Sequence, residues 1–175
     1  MLGPNLQGEV VSLEPVRPED LPLISGWWAI HEVTRYWSGI GVPSMQQTDE
    51  WFERSARSDG DVVWTIRVGG RTIGHTHLTS IDWQNRSATS GLLIGEVDAW
   101  GEGYAGDSVR LRTRYAFEEL GLERLESESV EGNVAMHRAL EKVGYRKIGR
   151  KLRALYRGSV WHDSFLFELL REEWT

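Results

Sequence analysis

The sequence predicts a mixed α+β fold built on one mostly antiparallel sheet, and three features carry that expectation. Val62 to Val68, Arg71 to Ser80 and Thr89 to Gly95 are three strand-like runs joined by a Gly69-Gly70 turn and a polar connection, the pattern of a meander. Leu92-Leu93-Ile94-Gly95 then passes into a glycine-rich turn, an amphipathic helix and a further strand at Arg124 to Val130, which makes one strand–helix–strand crossover. Tyr145 to Tyr156 and Val160 to Leu170 close the chain as a hairpin turning at Arg157-Gly158-Ser159.

The remaining elements follow in order. Glu9 to Glu14, with Val10, Val11 and Leu13, reads as a first strand ended by Pro15. Arg17-Pro18-Glu19-Asp20 has the proline and first-turn acids of a helix start, and the helix carries Leu21, Ile24, Trp27 and Trp28 towards His31. Thr34 to Met45 holds Gly39, Gly41 and Pro43 and reads as a loop; Thr48-Asp49-Glu50-Trp51 opens a second helix ending near Ser58-Asp59-Gly60. After the glycine turn, Val109, Thr113, Ala116, Phe117 and Leu120 form one helical face, and Gly121 stands where a C-cap glycine belongs. Asn133 can cap a fourth helix whose face is Met136, Ala139, Leu140 and Val143, closed by Gly144.

At 175 residues the chain suits a single domain spanning 1–175. Acidic side chains outnumber basic ones by 26 to 20 and no Lys/Arg run occurs, which argues against a nucleic-acid partner. Without cysteine there are no disulfides, thiolate metal sites or cysteine nucleophiles. No stretch has membrane-spanning length and no basic-then-apolar leader opens the chain, so a soluble cytoplasmic protein is expected, with no membrane partner. Nine tryptophans suit either scattered packing or an aromatic cleft.

Gly101, Gly103 and Gly106 let the backbone turn tightly and approach a ligand, and the following helix N-terminus presents free N–H groups and a favourable dipole to an anion. That is the physics of a phosphate or pyrophosphate cradle. Gly101-x-Gly103-x-x-Gly106 matches the dinucleotide fingerprint literally, with Glu123 near the ribose-binding position, but a doubly wound sheet contains no antiparallel meander ahead of that turn. No Gly-Lys-Ser/Thr follows, so the turn is not a P-loop.

Trp100-Gly101-Glu102-Gly103-Tyr104-Ala105 resembles the acyl-CoA motif Gln/Arg-x-x-Gly-x-Gly/Ala of the GNAT N-acyltransferases, in the form typical of the branch named for ribosomal-protein N-terminal acetyltransferases. Gly69 to Gly74, Ile81 to Ala88, Tyr115 to Leu122, Asn133 through Glu141-Lys142-Val143-Gly144-Tyr145, and Leu169 to Trp174 resemble that branch's hairpin, loop, helix end, second motif and last strand in the right order. The resemblance implies a GNAT fold, a central sheet splayed at the acyl-CoA site and flanked by four helices, and acetyl-CoA as cosubstrate with no metal. It implies that Gly101, Glu102, Gly103, Tyr104, Ala105, Gly106 and Asp107 surround the pyrophosphate. Ile94, Glu96 and Val97 would pair with the pantetheine as an added strand does, and Asn133 and Arg138 would lie near the cofactor. Asn133 suits equally a plain helix cap.

Acyl transfer to an amine needs proton removal, stabilisation of the thioester oxygen and departure of the thiolate. Backbone N–H groups of Ile94 to Val97 can serve the second need. For the third, the family's tyrosine and serine positions are Leu140 and Met136 here, and the branch's usual acid in the connecting segment is replaced by Thr89. Tyr145 and Tyr104 are candidate acids or packing residues. Glu96 is a candidate base or a solvated carboxylate at a strand end. His75 and His77 share one strand face, which either lines the cleft or meets solvent; spacing supplies no third ligand for a metal. His162-Asp163 is explained by turn chemistry.

The acceptor would enter over the first two helices, where Trp27, Trp28, Tyr36 and Trp37 cluster with Glu32 and Asp49 nearby, aromatic faces and carboxylates that suit a cationic amine. A protein N-terminus, an amino sugar, an aminoglycoside or a metabolite amine all fit. The missing family acids leave a second expectation beside the enzyme, an acyl-CoA-binding regulatory module without efficient transfer. The last strands offer a seam for a homodimer.

Overall fold

The computed structural model describes residues 1–37, 39 and 41–174. Its eight strands are β1 (Leu6–Gln7), β2 (Ser12–Pro15), β3 (Val62–Val68), β4 (Arg71–Asp82), β5 (Ser87–Ile94), β6 (Arg124–Val130), β7 (Arg146–Arg157) and β8 (Val160–Leu170), in one sheet of order β1-β2-β3-β4-β5-β6-β8-β7. Every neighbouring pair is antiparallel except β5–β6. Helices α1 (Leu21–Trp28), α2 (His31–Thr34) and α3 (Met45–Arg57) are joined by α4 (Tyr104–Glu118), the crossover between β5 and β6, and α5 (Val134–Val143). The expected mixed fold with one parallel crossover is the observed one.

Strand alternation divides the core in two. Trp64, Ile66 and Leu78 pack against Val109, Ala116 and Phe117 of α4 and Leu140 of α5. Val63 and Leu93 on the other face pack against Leu21, Ile24 and Trp27 of α1. Each such fully buried side chain contributes about 1.5–3 kcal/mol of transfer free energy. Both hairpins close on two consecutive residues of positive φ, Gly69-Gly70 (56° and 84°) and Gly158-Ser159 (59° and 63°), whose twist matches the strands they join.

Several boundaries differ from expectation, each for a local reason. The strand expected over Glu9 to Glu14 begins only at Ser12 and takes in Pro15, because the Val10 and Val11 N–H groups donate to the Asp107 carboxylate (2.9 and 3.1 Å) instead of entering the ladder. The first helix ends at Trp28 and a separate turn of helix forms α2. The second begins at Met45 rather than Thr48: Gln47 N–H donates to Ser44 Oγ and Ser44 N–H to Gln47 Oε1, a capping box inside the segment read as loop. Positions 38 and 40 of that segment lie outside the described residues. β4 and β5 extend further than read, since Asp82 accepts from the Asn85 N–H and side-chain amide and tightens their turn.

The parallel pair positions the site. β5 and β6 are in register only over Ser87–Thr89 and Arg124–Glu126 and then part. Ser90 Oγ donates to Glu126 O and Ser127 Oγ to Ser90 O, each at 3.0 Å, where they separate.

Candidate functional site

Beyond that fork the edge of β5 is open. Gly95 N–H and Glu96 N–H both donate to Ile73 O (2.9 and 3.2 Å), a bulge that fixes which backbone groups face β4. By alternation Leu92 and Ile94 turn theirs towards the gap. Ile94 O accepts from Trp100 Nε1 at 3.0 Å, and by the same alternation its N–H turns away from β4 into the gap. Of the backbone donors expected to serve a thioester oxygen, those of Gly95 and Glu96 are therefore engaged, and Ile94 is the strand donor at the gap.

The chain next passes through the single turn Val97–Ala99 to Gly101 (φ 87°) and Gly103 (φ 84°), conformations only glycine adopts at little cost, and starts α4 at Tyr104. Asp107 N–H makes the first helical bond, to Gly103 O at 3.2 Å. The N–H groups of Tyr104, Ala105 and Gly106 have no partner among the described residues and point out of the helix end. A Cβ at Gly101, Gly103 or Gly106 would meet nothing within 4 Å. The cradle is open on the side where a ligand would lie.

Gap and cradle join in a cleft of about 640 Å³ between β5, α4 and α5. It is lined by Ile94, Gly101, Glu102, Gly103, Tyr104, Ala105, Gly106, Asp107, Asn133, Arg138 and Trp37 of the residues singled out from sequence. It also takes in Arg110 and Lys142, which sequence reading missed although Arg138 and Lys142 stand four apart on α5 and so share a face. Arg35 lies over the Tyr36 ring (4.8 Å) and the Trp100 ring (5.7 Å) at its rim. Open glycines, free N–H groups and these cations fit an anionic, elongated ligand such as a nucleotide diphosphate bearing an amide arm. Asn133 Oδ1 caps α5 by accepting from Met136 N–H at 3.4 Å, which leaves its amide nitrogen for the cleft.

Five of the expected site residues need correcting. Asp107 lines the cleft, but its carboxylate holds Val10 and Val11 and anchors the N-terminal segment. Trp27 is buried; its ring lies against Gly95 and its Nε1 donates to Glu96 Oε1 at 2.8 Å, so it is not a surface for an acceptor. Tyr145 is sealed in the core with its hydroxyl 3.1 Å from Thr113 Oγ1. Glu96 and Val97 lie outside the cleft lining, and the Glu96 carboxylate is clamped by Trp27 and an ion pair with Arg71, which also pairs with Asp98 at 2.9 Å.

Trp28 and Trp37 meet edge to face at 4.9 Å and line a second hollow of about 290 Å³ with Val42, Pro43 and Gln47. Trp37 borders both spaces. His75 and His77 stack at 6.2 Å on the helix-covered face rather than a solvent face, with the Trp28 and Trp51 rings 6.3 and 6.1 Å from His75. His75 Nε2 is buried without a partner.

Burial pulls His75 down to about 4; burial, with His75 and Arg112 adding repulsion, pulls His77 down to about 3. Both are neutral at pH 7. Their folded values lie below the unfolded value near 6.5, so the unfolded state binds more protons between pH 6.5 and 4. Stability is full above 6.5 and falls with acidification, by about 1.4 kcal/mol per pH unit for each histidine. Thermal melts between pH 7 and 4.5 are expected to show this slope, roughly halved in His77→Gln.

Residues 11–146 match the family described as acetyltransferase (GNAT) domain. The proposed ribosomal N-acetyltransferase YdaF of Bacillus subtilis (strain 168) is 31% identical over 125 residues, covering 71% of this chain and 67% of that protein. Spermidine N-acetyltransferase from Vibrio cholerae, solved with CoA and spermine, superposes with a TM-score of 0.87 at 18% identity over 93% of this chain and 96% of that one. Mycobacterium smegmatis RimJ, solved with CoA-disulfide, superposes with a TM-score of 0.84 at 22% identity over 97% and 87%.

Proposed function

The chain belongs to the GNAT acetyltransferases, and we propose that it transfers the acetyl group of acetyl-CoA directly to the α-amino group of a peptide held beside the open edge of β5. The single observation that carries the reading is the continuous cleft from that edge to the N-terminus of α4. When bound, acetyl-CoA supplies an activated acetyl thioester. The N–H groups of Tyr104, Ala105 and Gly106 would hold the pyrophosphate, with Arg110, Arg138 and Lys142 adding charge. Leu92 would hydrogen-bond the amide arm, and the Asn133 side-chain amide would contact it at the α5 end. Ile94 N–H, at the gap, would meet the negative charge that develops on the thioester oxygen.

The acceptor class follows from proton bookkeeping. Tyr145 is sealed, Glu96 is clamped, and His75 is buried and His77 half-buried, both with lowered proton affinity, so none of the four side chains read from sequence presents a base at the cleft, which leaves its lining carboxylates Glu32 and Glu102. A peptide α-amino group titrates near 7.7–8.0 and is partly neutral at pH 7.5, whereas alkyl amines like the lysine side chain titrate near 10.4. An α-amine therefore reaches the site ready to attack, and placement of the reactants supplies the rate. The name of YdaF, a proposed ribosomal N-acetyltransferase, accords with this reading. Trp28 and Trp37 would bound the acceptor channel.

The test is release of free CoA thiol from acetyl-CoA at pH 7.5 with peptides beginning with Ser or Ala, polyamines, aminoglycosides and amino sugars. Peptides are expected to give turnover and the strongly basic amines little. Turnover with polyamines alone would replace the peptide by a small-molecule acceptor. Acetyl-CoA binding with silence across the panel would favour an acyl-CoA-binding regulatory module, the reading that Leu140 and Met136 at the family's acid positions motivate.

A further inference from the structure

Arg112 lies on α4 with no exposed surface, and no carboxylate among the described residues stands within ion-pair distance of it. An unneutralised buried cation is costly, and this one is held by neutral acceptors only. Its Nη1 donates to Thr76 Oγ1 at 2.7 Å and to Gly91 O at 2.8 Å, its Nη2 to Ser90 Oγ at 3.1 Å, and its Nε has no partner. Thr76 Oγ1 also donates to Gly91 O at 2.9 Å. One guanidinium bond, joined by that of Thr76 Oγ1, thus falls on the Gly91 carbonyl of β5, just past the fork, while the others hold Thr76 and Ser90 and the Tyr145 hydroxyl faces the same charge.

That peptide has two ends. Gly91 C=O turns towards β4, where it collects the Arg112 and Thr76 bonds. By strand alternation the N–H of the same unit, which belongs to Leu92, turns the other way, into the gap left by β6. Ser127 Oγ on Ser90 O and Trp100 Nε1 on Ile94 O mark the same side for the neighbouring even-numbered residues. Charge drawn to a carbonyl oxygen withdraws electrons through the peptide group and makes its N–H a stronger donor, an effect that low dielectric amplifies. We propose that Arg112 is a positioning residue for the cosubstrate, acting through the Gly91–Leu92 peptide to strengthen the Leu92 N–H that receives the amide arm of acetyl-CoA. Its bond to Ser90 Oγ ties the same charge to the fork, so gap width and donor strength are set together. This rests on the cosubstrate reading above.

The experiment compares the wild type with Arg112→Met, which keeps an apolar stem without charge, and Arg112→Lys, which keeps charge without the fork of donors. Calorimetry with CoA, pantetheine and adenosine 3′,5′-diphosphate separates the two halves of the cleft. Arg112→Met is expected to weaken pantetheine and CoA by about five- to tenfold, the range of the net contribution of one ordinary hydrogen bond, and to leave the adenosine diphosphate unchanged. In the ligand-free protein its Leu92 amide proton should move upfield, with Arg112→Lys between the two. That shift is a readout mere loss of packing would not confine to this amide. Equal weakening of all three ligands, or an unmoved Leu92 resonance, overturns the proposal. Failure of the adenosine diphosphate to bind the wild type overturns the cosubstrate reading instead. Should Arg112→Met not fold, Arg112→Gln against Arg112→Lys, neutral against charged, decides by the same two measurements.

Discussion

Gly106→Glu is expected to abolish acetyl-CoA binding while the domain stays folded. Gly106 sits in the first turn of α4, its φ is not in the left-handed region, and a Cβ there meets nothing within 4 Å. A non-glycine residue in a helix gains about 0.5–1 kcal/mol over glycine, and a first-turn carboxylate gains about 0.3–1 kcal/mol from the dipole. The free protein should therefore melt at or slightly above the wild-type temperature. The same carboxylate stands where the helix end would receive a pyrophosphate. At about 5 Å and an effective dielectric of 20, one like-charge pair costs about 3 kcal/mol, so acetyl-CoA affinity should drop at least about a hundredfold. Calorimetry and thermal melts check both halves, with Gly106→Ala as the uncharged comparison. Unchanged acetyl-CoA affinity in a folded Gly106→Glu protein would remove the helix end from the cofactor site.

That contrast between fold and ligand runs through what could be read from the chain. The meander, the crossover and the closing hairpin were legible because period-two alternation and paired turn glycines are local signals; β3, β6 and the Gly158-Ser159 turn fall where they were read. The glycine turn was legible for the same reason: Gly101 and Gly103 stand at positive φ just ahead of α4, and Gly106 lies in its first turn. Less legible were features set by partners distant in sequence. Nothing near Val10 announces that Asp107 will take its N–H, and nothing near Glu96 announces Trp27 or Arg71.

Arg112 shows the other way a signal is lost. It stands three residues after Val109 and four before Ala116, inside the apolar stripe, but a hydrophobic pattern passes over a charged residue. Only the neutral acceptors Thr76, Ser90 and Gly91, brought in by β4 and β5, make its burial tolerable. His75 and His77 were placed on one face correctly by alternation. Whether that face meets solvent or helices depends on α1 and α3, since Trp28 and Trp51 supply its cover. Sequence periodicity assigns a face; it does not say what packs on it.

Gly95→Ala is expected to destabilise the strand end beside the site strongly. A Cβ at Gly95 would lie 1.9 Å from Trp27 Cδ2 and 2.3 Å from Cε2, far inside contact distance. Neither side can give way cheaply. The backbone is pinned by the bulge in which Gly95 and Glu96 N–H share Ile73 O, and the Trp27 ring is 1% exposed and tethered through Nε1 to Glu96. Overpacking of this kind costs about 3 kcal/mol or more, which for a chain of this size lowers the melting temperature by roughly 6–12 °C. Trp27→Leu alone leaves a cavity and costs about 3 kcal/mol on its own. Combined with Gly95→Ala it gives the added methyl room, so the double variant should be more stable than the sum of the two losses predicts, by about 1–3 kcal/mol. Strict additivity in denaturant titrations would mean that the strand end and α1 are not packed against each other as described. Because Trp27 also holds Glu96, the rescued double variant separates two roles of the indole: recovered stability with altered turnover would assign the Trp27–Glu96 bond to function, and recovered turnover would assign it to packing alone.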